Sequence, residues 1–260
     1  MKKKIICVAG ILGAVLIICV VLYFSVIHPH VEMYIDIMRC YQEFHVDGIG
    51  KSAEPYTEYS VTGENLVTVE TADYSISIPS YFEKNSEDHS GMIRYSADEN
   101  TDDQKESIGI TVVGTDYTDM AILNQQGLSE RQKKNLIKGY EKLGYGIPDT
   151  AYSSYKCALL ITEDDYSYAN KNQSKAYTML IPYRTGSSFF YSAGNSKTYI
   201  YENEKMYALI SESYHADWDL YVYFVEFYNP EDLNLSYTAI LKTKTPQTAY
   251  AVINSITFGE

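Results

Sequence analysis

Residues 219–228 read Asp-Leu-Tyr-Val-Tyr-Phe-Val-Glu-Phe-Tyr. In an extended chain successive side chains point to opposite faces, so Tyr221, Tyr223, Val225 and Phe227 share one face and Leu220, Val222 and Phe224 the other. Both faces are apolar, which is the pattern of a central strand covered on both sides rather than of a strand with one wet face. On either side the period of two continues: residues 197–201 and 206–213 read as strands, and 237–243 as one more. Beyond them Thr245-Pro246 has the form of an N-cap followed by proline at the first helical position. Ala249, Tyr250 and Ile253 then give a C-terminal helix its core face, and Ser255-Ile256-Thr257-Phe258 closes the chain as a short strand.

Upstream, Tyr74-Ser75-Ile76-Ser77-Ile78 alternates cleanly from a start near Leu66 and ends at Pro79. Residues 92–97 and 107–113 are further strands, separated by the acidic stretch 97–104. Ser129 with Gln132 has capping-box form, and Leu136, Ile137, Tyr140 and Leu143 make an apolar helical stripe that stops at Gly144. A shorter helix is expected over 117–126, and strands over 155–163, 175–183 and 189–192, with Glu163-Asp164-Asp165 as a hairpin turn. Strands in hairpin order, with helices grouped in the middle and at the end, predict one α+β domain over residues 65–260: an antiparallel β-sheet flanked by helices.

The stretch Tyr74-Ser75-Ile76-Ser77-Ile78-Pro79-Ser80-Tyr81-Phe82 resembles the strand, proline and aromatic that open PsbP/Mog1-like domains, and the closing helix with Ser255-Ile256-Thr257-Phe258 resembles their end. The resemblance covers these two stretches. It implies a central antiparallel sheet between helices and a role as a binding or assembly module, and it supplies no site residue. The middle of the chain, with extra strands after Tyr155, is longer than the resemblance implies.

The N-terminus adds a second element. Residues 5–27 carry no charge, and at 1.5 Å per residue they extend roughly 34 Å, enough for a hydrocarbon core of about 30 Å. A secretory apolar region is shorter, about 7–15 residues, and ends in a small-x-small site that Leu22-Tyr23-Phe24-Ser25-Val26-Ile27 lacks. Leu16-Ile17-Ile18-Cys19 departs from a lipoprotein box by the large Ile18. The expectation is one retained transmembrane helix and a single-pass protein of the cell membrane. Lys2, Lys3 and Lys4 keep the tail 1–4 cytoplasmic and place the C-terminal domain outside, extracytoplasmic. Pro29 is expected to bend or end that helix. Tyr34, Ile37, Met38, Tyr41 and Phe44 then mark an amphipathic helix over 31–46, set on the bilayer, on the domain or against another anchor. Gly48, Gly50 and Pro55 make 47–64 a linker, so that 28–64 joins span to domain.

Charge excludes several partners. Three of the 21 basic residues precede the span and no acid lies in it, so residues 28–260 hold 18 basic against 34 acidic side chains, a formal −16. Such a surface repels nucleic acid and anionic headgroups, leaving cationic partners and divalent ions. Of four cysteines, Cys7 and Cys19 lie in the span; Cys40 and Cys157 form no CxxC, and two reduced, buried thiols are expected rather than a bridge.

Candidate sites are few. Tyr214-His215-Ala216-Asp217-Trp218-Asp219 joins two strands and holds the sole tryptophan; His215, Asp217, Trp218 and Asp219 form either a ligand-binding loop tip or a turn whose Trp caps the core edge. Asp98, Glu99, Asp102, Asp103 and Glu106 offer oxygens to Ca²⁺, yet lack EF-hand order and its glycine, so a solvated acidic loop is expected and no cofactor is called for. Asp47-Gly48-Ile49-Gly50-Lys51-Ser52 ends like a P-loop but carries His45 where glycine is required. Neither a G-x-S-x-G elbow nor HExxH occurs, and the five histidines are scattered. The 27 tyrosines suit half-buried strands, and some of them suit a binding face. These observations predict a membrane-anchored extracytoplasmic binding or assembly module with a membrane or cell-envelope protein partner. The alternative is a hydrolase of polysaccharide or peptide that acts through carboxylates such as Asp217 and Asp219.

Overall fold

The structure, a computed structural model, describes residues 13–43, 49, 51–58, 65–85, 93–97, 106–113, 129–191 and 196–259. Helix α1 (Gly13–Glu43) leads into β1 (Glu54–Pro55), β2 (Leu66–Glu70), β3 (Tyr74–Pro79), β4 (Glu83–Lys84), β5 (Ile93–Ser96) and β6 (Ser107–Val113). Three helices come next, α2 (Glu130–Leu143), α3 (Ala151–Leu160) and α4 (Lys171–Tyr191). Then come β7 (Lys197–Glu202), β8 (Tyr207–His215), β9 (Leu220–Asn229), β10 (Asp232–Thr243), α5 (Pro246–Asn254) and β11 (Thr257–Phe258). Eight strands form one sheet in the order β1-β7-β8-β9-β10-β6-β5-β4, antiparallel except for the β1–β7 pair, and β11-β3-β2 form a small second sheet. The protein is thus a mixed α and β fold on an antiparallel-rich sheet.

The strand predicted to be central lies inside the large sheet, between β8 and β10. Tyr223, Val225 and Phe227 are buried against the small sheet and α5, where Tyr74, Ile76, Ile78, Ala249, Val252 and Ile253 complete the core. On the opposite face Tyr228 of β9 and Leu209 of β8 are buried with Ala151, Tyr152 and Leu159 of α3. The C-terminal helix starts as expected: Thr245 Oγ1 accepts from the Thr248 N–H, with Pro246 in the first turn. Gly144 ends α2 at φ 83°, a left-handed C-terminal position that suits glycine.

Two expected regions of strand are helix. Residues 155–163 read as strand in the sequence, but α3 runs over Ala151–Leu160, opened by Thr150, whose side chain and that of Ser153 cap each other's backbone N–H. Tyr152 and Leu159 of α3 face the sheet, while Cys157 and Ala158 face the other helices. A helix covered on two sides shows no single apolar stripe, so its period is lost in the sequence. Residues 175–183 and 189–191 are not two strands; they belong to one helix, α4, which continues past Pro182, and residue 192 lies outside the described residues. Glu163–Asp165 is a 3₁₀ turn between these helices, not a hairpin.

The segment expected as a linker is also structured in part. Ile49 is buried, and residues 51–58 run along the edge of the large sheet, with the Ala53 N–H bonded to Leu159 O (3.2 Å) and the Tyr56 N–H to Ile200 O (2.7 Å). The fully buried Arg184 of α4 holds this segment from below, donating from Nη2 to Lys51 O (3.0 Å) and from Nε to Ile161 O (3.3 Å). Burial lowers its guanidinium to about 10, and Tyr177 and Tyr41 oppose that shift.

Helix α1 is continuous through Pro29. Just before the proline, Tyr23–Ile27 form a π turn, in which the His28 N–H bonds back to Tyr23 O. The wider turn relieves the clash between a proline ring and the carbonyl four residues earlier, so Pro29 does not end the helix. Past it, Ile37 and Tyr41 are buried in a cluster with Leu136, Tyr140, Tyr177 and Leu180, and Cys40 packs against them. Of the three placements open to this segment, the one found is on the domain; Tyr34 and Met38 of the same stripe stay 59% and 38% exposed. Among the described residues α1 is the one helix long and apolar enough to cross a membrane, and its apolar window is wholly uncovered by the rest of the protein. Cys40 and Cys157 are free thiols; Cys157 donates to Tyr145 O (3.0 Å), and burial raises it to about 11.

This packing has two measurable consequences. Arg184→Met leaves the Lys51 and Ile161 carbonyls without this donor and should cost about 2–4 kcal/mol in denaturant unfolding, which Arg184→Lys, unable to span both, recovers only in part. Alkaline pH should unfold the protein cooperatively. Burial pushes the hydroxyls of Tyr74, Tyr145, Tyr152, Tyr177, Tyr201 and Tyr223 up, and that of Tyr237 up to about 12. Above about pH 10 the unfolded chain sheds protons that the folded chain keeps, so each such tyrosine removes about 1.4 kcal/mol of stability per pH unit until its folded value is reached. Tyrosinate absorbance and loss of circular dichroism should share one midpoint above pH 10; gradual ionisation with native dichroism retained would contradict this.

Candidate functional site

The four residues of the predicted loop are brought together on the turn between β8 and β9. The His215 ring stacks on Trp218 (centroids 4.7 Å apart, planes at 11°), and the Lys242 ammonium lies 5.3 Å from the Trp218 ring centre. Tyr214 Oη donates to Asp219 Oδ1 (2.8 Å), and Asp219 holds φ 52°, a left-handed conformation that aspartate tolerates better than most residues. The Trp218 and Asp219 N–H groups bond back to His215 O and Ala216 O. Trp218 is half-buried and Asp217 exposed. Tyr214, Asp219 and the two backbone N–H groups thus hold the turn, with Trp218 against His215 and Lys242.

The acidic loop is placed differently. Asp98, Glu99, Asp102 and Asp103 lie outside the described residues, as does the helix expected over 117–126. Glu106 is described, and its carboxylate accepts the Lys244 N–H (2.8 Å). Among the described residues no group of three or more His, Cys, Asp or Glu side chains is placed to hold a metal ion. The P-loop-like segment also has other partners: Arg184 takes the Lys51 carbonyl, and Ser52 Oγ bonds to Leu160 O (3.4 Å).

Among the described residues, concave surface is found around β1. This two-residue strand pairs in parallel with β7, Glu54 opposite Tyr199 and Pro55 opposite Ile200. Proline suits an outermost strand, where a missing N–H interrupts no further ladder, and it discourages another strand from adding there. A cleft opens on each side of β1, and Tyr56 lines both. Its ring stands edge-on to Tyr199 (6.0 Å), Tyr201 (5.1 Å) and Tyr250 (6.1 Å).

The larger cleft, about 690 Å³, is lined by Pro55, Glu58, Lys156, Leu160, Glu202 and Asn203 among others. Glu58 accepts from the Tyr201 hydroxyl and from Asn203 Nδ2 (3.2 Å). Glu202 accepts from Tyr152 Oη (2.8 Å) and from Lys156 Nζ (2.6 Å). Two carboxylates thus share one cleft, each fixed by a tyrosine hydroxyl that burial, and then the carboxylate itself, keeps protonated. The smaller cleft, about 420 Å³, is lined by Lys51, Glu54, Lys197, Tyr199 and Tyr250 among others. Tyr199 and Tyr250 both donate to Glu212 Oε2, at 3.2 and 3.1 Å. Aromatic walls with fixed carboxylates and lysines at the rim can seat a polar ligand by stacking and hydrogen bonding together.

Sequence reading missed Tyr56, Glu58, Lys156, Glu202 and Asn203. Glu58 lies in the stretch expected as linker, and its partner strand is distant in the chain. The available signal was the two-apart pair Tyr199 and Tyr201 beside Glu202, which marks β7 as a strand with aromatic and acidic groups at its end. Compared with models of protein families and with curated proteins, the chain matches none of either.

Proposed function

We propose that the chain is a membrane-anchored binding or assembly module, held in the cell membrane by the apolar half of α1 with its N-terminus cytoplasmic and its mixed α/β domain extracytoplasmic. The observation that carries this reading is the continuity of α1: one helix contributes an uncovered apolar stretch at its start and buried core residues, Ile37 and Tyr41, near its end. An anchor built this way fixes the domain at the membrane instead of trailing it on a linker. Lys2, Lys3 and Lys4 support the orientation, and the two clefts around β1 supply the binding surface. The acidic exterior favours a cationic or neutral ligand or a cell-envelope protein partner over nucleic acid.

Two truncations separate anchor from fold. A chain beginning at residue 28 should fold and leave the membrane fraction. One beginning at residue 47 should lose stability, since even Ile37→Ala alone is expected to cost about 2–5 kcal/mol. On intact cells a C-terminal tag should be labelled by a membrane-impermeant reagent, and a membrane-impermeant crosslinker should yield a discrete heavier species. A tag protected from labelling overturns the orientation.

A second reading, a hydrolase of polysaccharide or peptide, is favoured by one observation: Glu58 and Glu202 share a cleft, as a pair of catalytic carboxylates does. On this reading the acids are these two and not the turn residues Asp217 and Asp219. Glu58→Gln and Glu202→Gln would each abolish hydrolysis of a cell-wall extract while leaving the fold intact; unchanged activity, or none in the parent protein, removes the reading.

A further inference from the structure

We infer that the domain makes a second contact with the bilayer that α1 crosses, through Tyr168 on the loop between α3 and α4, its ring resting in the headgroup layer. The inference rests on α1 being a membrane span and goes beyond it. His30 lies three residues past Ile27, the last residue of the uncharged run, and hence about 4.5 Å further along the helix axis. The polar layer on each side of a hydrocarbon core is about 5–8 Å thick, so His30 falls within it. The loop is fastened at that level: His30 Nδ1 hydrogen-bonds Tyr166 Oη (2.5 Å), and the His30 ring lies 5.7 Å from that of Tyr166 and 5.4 Å from that of Tyr168.

The loop is rigidly built. Asp165 Oδ2 accepts from the Thr162 N–H (2.8 Å) and from Tyr145 Oη (2.7 Å), and Gln173 Nε2 donates to Asp165 O (3.0 Å). The Ser174 hydroxyl closes the loop on both the N–H and the carbonyl of Ser167. This frame presents Tyr168, 76% exposed, at the level of the membrane surface. A ring with one polar tip suits that layer, and Tyr23 and Phe24 of α1 lie one to two turns deeper. The neighbouring charges set the lipid class. Glu163 and Asp164 are exposed on one side and Lys171 and Lys175 on the other, so the contact is one of ring burial and is independent of anionic lipid.

The test places a tryptophan at the site in the full chain, Tyr168→Trp on a Trp218→Phe background, reconstituted in phosphatidylcholine vesicles. A parallel variant, Phe24→Trp on the same background, reports on α1. The expected result is blue-shifted emission from the Tyr168→Trp protein. Lipids brominated near the glycerol should quench it more than lipids brominated near the chain ends, and equally with and without phosphatidylglycerol. Quenching of the Phe24→Trp variant with water-like, unquenched emission from Tyr168→Trp overturns the second contact and leaves the anchor standing. Absence of quenching in both overturns the contact and the membrane reading of α1 together. Quenching of Tyr168→Trp only when phosphatidylglycerol is present overturns the ring-burial account.

Discussion

The structure depends on a helix that does not break at a proline. Pro29 stands directly after the apolar run, in a place where a lost N–H and a ring clash would normally free the chain to turn. The π turn at Tyr23–Ile27 absorbs the clash, and the ladder resumes at once. The apolar half of α1 therefore positions its second half. Ile37 and Tyr41 enter the helical cluster at a fixed distance and rotation from the uncovered stretch, and α4, which they cover, carries Arg184, which in turn holds the 51–58 segment at the sheet edge. One unbroken helix so links its uncovered apolar stretch to the strand between the two clefts.

Arg184 adds a buried charge to the apolar contacts of Ile49, Ala53 and Tyr56 in keeping that link. Its guanidinium is fully buried and donates to two main-chain carbonyls from separate parts of the chain. Desolvating a charge is costly, and a carbonyl left without a donor in the interior is costly too. Each need answers the other, and a planar fork of five donors answers two carbonyls better than an ammonium can. The segment that Gly48, Gly50 and Pro55 mark as a linker is ordered at 51–58 by this side chain, by the bonds of Ser52 and Glu58, by two backbone bonds and by the parallel pair with β7.

How far the sequence could be read depended on how many sides of an element are covered. Tyr74–Pro79, with one buried and one partly exposed face, and Leu220–Asn229, apolar on both faces, declare themselves by the period of two, and α2 and α5 by a stripe or a cap. Helix α3 is covered by the sheet through Tyr152 and Leu159 and by other helices through Cys157 and Ala158, so its apolar residues run all round and mimic a strand. In α4, Tyr177, Ile181 and Pro182 argue locally against helix, and packing overrides them. The site was less legible for a different reason. His215, Asp217, Trp218 and Asp219 are adjacent in the chain and so catch the eye, but adjacency reflects a turn. The Glu58–Tyr201 and Glu202–Tyr152 pairs are assembled by topology, and no local pattern announces a parallel edge strand.

The tyrosines join the core to the surface. A phenol can be buried like a phenylalanine provided its hydroxyl is met, and in this protein carboxylates at the margin of the core often meet it: Tyr152 on Glu202, Tyr201 on Glu58, Tyr199 and Tyr250 on Glu212, Tyr145 on Asp165. Each such pair orients a carboxylate through a tyrosine hydroxyl. An acidic, tyrosine-rich chain folded in this way fixes carboxylates as a by-product of filling its core, two of them, Glu58 and Glu202, at the sheet edge. Around β1 these fixed carboxylates stand beside aromatic walls in a cleft, whereas the bonds of the tryptophan turn close on the turn itself.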